Sequence, residues 1–166
     1  MKNIPDMKPL LLLTFLFVSI DLFAQYDLSQ VDQPRSGVAS QPFKKANFII
    51  LQTADSGLVA FKKILLLLQD GGEVIEKRDN ELLSFSTEYR QITSVFIHQQ
   101  SISGYVRGST IYLNSKWRVS SGGNLHGGPF VSEYGTSNGN QSAKAFKIMD
   151  AVAKSYPGGK IFYVIK

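Results

Sequence analysis

Two hydrophobic periods alternate along the chain. In ADSGLVAFKKILLLLQDGG, residues 54–72, Leu58, Phe61, Leu65 and Leu68 recur at steps of three and four and so share one face of a helix. Asp55 or Ser56 can cap its start and the Gly71-Gly72 pair can end it. The unbroken apolar run Ile64–Leu68 widens that face and implies burial against more than one neighbour, or against another subunit. A second stripe, Phe146, Met149, Val152, Ala153 and Tyr156, predicts a helix over SAKAFKIMDAVAKSY, which Pro157-Gly158-Gly159 stops.

Elsewhere the period is that of strands. NFIILQT (47–53) has the β-branched and aromatic content of one. EVIEKR, a turn at Asp79-Asn80, and ELLSFSTEY with Leu83, Phe85 and Thr87 on one side read as a hairpin. TSVFIHQQ and SGYVRGSTIYLNSKWRVS continue in strands that turn at Arg107-Gly108-Ser109. In the last of these Ile111, Leu113, Trp117 and Val119 face one way, and Tyr112, Asn114, Lys116 and Arg118 the other. KIFYVIK closes the chain as a strand. The order β-α-β-β-β-β-α-β predicts an α+β fold: an antiparallel sheet of about six strands with two helices packed on one face, formed by residues 47–166 as a single domain.

The ends of this pattern suggest an address. Lys2 and Lys8 precede an apolar run from Leu10 to Phe23 that is shorter than a spanning helix needs and ends at Ala24, so residues 1–24 read as a signal peptide and the protein as exported, to the periplasm or beyond the cell. Residues 25–46 are rich in Gln, Ser, Asp and Pro without an apolar period, the composition of a flexible tether. The chain has no cysteine, which excludes a lipid-bearing thiol, a disulfide, a thiolate metal site and a cysteine nucleophile. The net charge of +5 is unchanged by removing residues 1–24, where Lys2 and Lys8 cancel Asp6 and Asp21. Its lysines and arginines are scattered, so no nucleic-acid partner is expected and contact with a membrane is at most peripheral.

The stretch Asn47–Thr87, with its strand, apolar helix, glycine stop and EVIEKRDNELLSFST hairpin, resembles small exported α+β domains of the TATA-box-binding-protein-like kind. The closing AFKIMDAVAKSYPGGKIFYVIK resembles the last helix and strand of such domains. The resemblance implies a fold and an exported setting; it brings no catalytic residues and implies no DNA binding.

Candidate chemistry concentrates in residues 120–141, SSGGNLHGGPFVSEYGTSNGNQ, whose Gly, Asn and Ser content argues against a regular helix or strand through most of it. It holds His126, one of two histidines, and Glu133, the pair singled out as candidate ligand-binding residues. The other histidine, His98, reads as a packed strand residue sharing a face with Phe96. Zinc ligation is disfavoured, because the close histidine pair of a helical zinc motif is missing; no metal or cofactor is expected. Ser120, Ser121 and Ser132 lie in no Gly-x-Ser-x-Gly elbow, Ser142 lacks the Ser-x-x-Lys spacing, and the GGNLHGG glycines do not match a phosphate-binding loop. The reading is therefore a noncatalytic interaction or accessory module of the cell envelope, with an unidentified protein or ligand partner and scope for self-association. The alternative is a ligand-binding protein or hydrolase built on the 120–141 loop.

Overall fold

A computed structural model describes residues 38–92, 97–121, 124–135 and 140–166. In chain order its elements are β1 (Val38–Ala39), β2 (Phe48–Gln52), α1 (Gly57–Asp70), β3 (Ile75–Asp79), β4 (Ser84–Thr87), β5 (Arg90–Gln91), β6 (Ile97–Arg107), β7 (Thr110–Ser121), β8 (Asn124–Val131), α2 (Asn140–Ser155) and β9 (Lys160–Val164). All described strand pairs are antiparallel, in the order β1-β9-β2-β7-β6-β4-β3, with β5 added to β6 and β8 to β7. No helix among the described residues is long and apolar enough to cross a membrane.

The α+β class is as the periodicity predicts. The described residues, however, form nine strands rather than about six. β1 and β5 are two residues each, too short to carry a side-chain pattern. β8 falls inside the stretch expected to be irregular, and Gly127 is held opposite Val119 of β7 by backbone pairing that needs no side chain. The expected tether is corrected at its C-terminal end. Val38 and Ala39 pair with Val164 and Tyr163, Ala46 is fully buried, and the Lys45 N–H donates to the Tyr134 carbonyl at 2.8 Å. Residues 25–37 and the expected signal segment lie outside the described residues.

One apolar core joins both helices to one face of the sheet. Ile49 and Leu51 of β2 stand opposite Leu113 and Ile111 of β7, which in turn stand opposite Gly104 and Val106 of β6. Onto this face pack Phe61, Ile64 and Leu68 of α1 and Phe146, Met149 and Ala153 of α2, each at most 1% exposed. Burying each of the larger of these side chains contributes about 1.5–3 kcal/mol. The α2 stripe is the one the sequence predicts. On α1 the stripe is centred on Ala60, Phe61, Ile64, Leu65 and Leu68, and Leu58, in the first turn, is 49% exposed.

The ends of α1 show which capping signals act. Ser56 takes the N-cap position but its side chain makes no capping bond, while Asp55 bonds elsewhere. At the C-terminus Gly72 turns left-handed (φ +80°), so that its N–H reaches the Gln69 carbonyl and the Glu73 N–H reaches the Leu68 carbonyl, both at 2.9 Å. This paired closure lets the chain reverse into β3. The predicted turn at Asp79 is also present: its Oδ1 accepts from the N–H groups of Glu81 and Leu82, both at 2.9 Å.

Candidate functional site in the distal half of the sheet

The β6–β7 hairpin is longer than the core it serves. β6 has 11 residues and β7 has 12, about 37–41 Å at ~3.4 Å per residue. On one edge, β6 pairs first with β4 and then, beyond Glu88 and Tyr89, with β5. On the other edge, β7 pairs with β2 as far as Asn114 and with β8 from Lys116 onward. The hairpin therefore carries a second, distal half-sheet, β5-β6-β7-β8. The core residues of β6 and β7 stop at Ile102 and Leu113.

Across the distal half runs one transverse row. Arg90 stands opposite Gln100, Gln100 opposite Trp117 and Trp117 opposite Phe130. Directly opposed residues project from the same face, so the row continues the helix-covered side of the sheet. The Trp117 ring lies 4.9 Å from Phe130 and 5.9 Å from His98. Phe130 is 46% and its neighbour Val131 47% exposed. Ser115 is one step along this face from Trp117, and its carbonyl accepts from the Ser132 N–H at 3.0 Å, which brings the two serines together.

Polar groups on this row and next to it are buried and lack hydrogen-bond partners. Gln100 is 1% exposed, and neither amide atom has a hydrogen-bond partner; nor do the Trp117 indole N–H and the Ser115 and Ser132 hydroxyls. Glu73, 3% exposed, joins them through Arg90. Arg90 Nη2 lies 2.9 Å from Glu73 Oε1, but neither carboxylate oxygen receives an aligned hydrogen bond, while Arg90 Nη1 donates to the Gly71 carbonyl at 3.0 Å. Burial pushes the Glu73 carboxyl up from its ordinary value, and the nearby Arg90 charge offsets part of that shift. Among the described residues these five side chains hold every buried, unpartnered side-chain polar atom. An unmatched buried group typically costs about 1–3 kcal/mol, so the gathering of Gln100, Trp117, Ser115 and Ser132 on neighbouring positions of one face is the least expected feature of the fold.

The candidate pair fares differently. His126 lies in β8, between Leu125, which opposes Ser120, and Gly127, which opposes Val119; its side chain is outside what the structure describes. Glu133 follows the Ser132–Ser115 bond, and its N–H donates to Ser142 Oγ at 2.7 Å, tying the end of β8 to the first turn of α2. The strand spaces the two positions roughly 16 Å apart along β7, at ~3.3 Å per residue, and does not bring them together. His98 is half-buried beside Trp117, as a packed strand residue should be; Phe96 lies outside the described residues.

Unlike Ser120, Ser121 and Ser132, Ser137 stands in a Gly-x-Ser-x-Gly spacing, Gly135-Thr136-Ser137-Asn138-Gly139. Residues 136–139 lie outside the described residues. Among the described residues before it, Val131 ends β8, Ser132 is buried and Tyr134 packs on the core, and α2 begins at Asn140. No group of three metal-ligating side chains occurs among the described residues.

Two further carboxylates tie elements together. Tyr156 donates to Asp55 at 2.6 Å and Lys63 to the same oxygen at 2.9 Å, which holds the Asp55 carboxyl below its usual range. Burial, aided by that bond, pushes the Tyr156 hydroxyl up to about 12. Tyr163 donates to Asp150 at 2.6 Å, and Lys154 pairs with the other Asp150 oxygen at 2.7 Å. These contacts lock α1 and β9 to α2. Compared with known proteins, the chain matches no family model and no curated protein.

Proposed function

We propose that the protein is an exported, noncatalytic binding module of the cell envelope, and that it meets its partner through the distal half-sheet. The observation that carries this reading is the group of buried polar side chains without hydrogen-bond partners on one face of the sheet, Gln100 and Trp117 in one row and Ser115 and Ser132 beside it, next to the exposed Phe130. Polar groups held unmatched at a cost in stability, beside a partly exposed aromatic residue, suit a region kept for recognition rather than for stability. The same groups are poorly arranged for catalysis. The Ser115 and Ser132 hydroxyls bond to no base, and Glu73 faces Arg90 rather than a nucleophile. The signal-like segment supports export, and the resemblance to TATA-box-binding-protein-like exported domains supports the same setting.

The test is affinity capture from the protein's own cells with the mature chain and a Gln100→Leu variant, folding of both being checked by circular dichroism. A partner retained by the first and lost by the second is expected. Equal retention by both, or a hydrolytic activity abolished by Ser137→Ala, would instead favour another surface or the hydrolase reading.

A further inference from the structure

The helix layer carries a second feature, independent of the distal row. Between α1 and α2 runs a groove of about 480 Å³, within the usual range for small-molecule sites. Its apolar lining is Leu67 from α1 with Ile148, Ala151 and Val152 from α2. Lys144 and Lys147 rise on the α2 side and Asp70 on the α1 side, all exposed and none in an ion pair. Lys144, Ile148, Ala151 and Ser155 step along α2 by four, three and four residues, so the lysine end and the apolar floor form one continuous strip.

From this we infer that the groove holds a single-chain anionic amphiphile of the fatty-acid class, its alkyl chain along Leu67, Ile148, Ala151 and Val152 and its carboxylate at Lys144 and Lys147. Two free ammonium groups against one carboxylate select an anion over a cation. Both walls are helices whose backbone groups bond internally, so an extended peptide would find no ladder there and would leave its own N–H and C=O groups unpaired. A concave groove accepts one chain at a time, whereas a bilayer surface would rest on the helix ridges, where Leu66 is 59% exposed.

The experiment titrates the full chain with dodecanoate, with uncharged dodecanol and with anionic phospholipid vesicles, following methyl signals of Ile148 and Ala151 by NMR. Dodecanoate should shift both signals and bind about tenfold or more tightly than dodecanol, and Lys144→Glu with Lys147→Glu should remove that advantage. Ala151→Trp, at an exposed position, should block the groove while leaving the melt unchanged; should it unfold the chain, Ala151→Gln serves the same purpose. Equal binding of dodecanoate and dodecanol, undiminished binding in the groove-filling variant, binding to vesicles but not to dodecanoate, or no shift at all would each overturn the inference.

Discussion

Gln100 stands directly opposite Trp117 on the inner face of the β6–β7 hairpin, yet neither its amide nor the indole N–H has a hydrogen-bond partner. Cross-strand neighbours normally stabilise a sheet. Here they hold desolvated groups unmatched. Gln100→Leu keeps the volume and removes the unmatched amide, and is expected to raise stability by about 1 kcal/mol while weakening partner capture. Urea unfolding checks the first outcome; a marked loss of stability would show that the amide is satisfied in solution.

Glu73 gives a pH signature. Its folded-state pKa is raised by burial above the ordinary 4.5, so the folded chain holds the proton more tightly than the unfolded one. The stability this adds is present below the unfolded value and is lost as pH rises through the folded value. Glu73→Gln, which cannot ionise, should melt higher than the parent at pH 7, with the gap closing toward pH 4. Thermal melts across that range measure it.

Gly104 is fixed by close approach. A Cβ there would overlap the Tyr112 carbonyl oxygen and crowd the Phe85 ring, and a backbone atom cannot swing aside. Gly104→Ala is expected to cost about 1–3 kcal/mol, as overpacking does, and denaturant midpoints compared with a Gly127→Ala control, where a Cβ meets only ordinary contacts with the Phe130 ring, read the difference.

Phe146 is fully buried between Tyr134, at 5.7 Å, and Tyr163, at 6.2 Å. Phe146→Ala should cost about 3–5 kcal/mol. Trp117→Ala should cost less, since Trp117 is half-buried, lies outside the central core and leaves one unmatched donor fewer. Chemical denaturation of the two variants ranks them.

Local chemistry was enough to read much of this fold. The stripe on α2, the glycine closure of α1, the Asp79 turn and the facing of Ile111 and Leu113 follow from periods and turn residues within a few positions of one another. Leu58 shows the limit of that reading, because a stripe four residues wide can be centred only by what it packs against. β8 shows another: its glycines carry no strand signal, and its pairing comes from a backbone ladder offered by β7. The distal row was invisible for the same reason. Nothing in the local sequence marks Gln100 as unmatched, since that depends on register across four strands and on solvent exclusion from both sides. His126 and Glu133 are near in sequence, yet an extended strand spaces them apart, whereas Gln100 and Trp117, distant in sequence, are placed opposite each other by the hairpin. Periodicity is local, but register and desolvation are not, and the proposed site is made of the latter two.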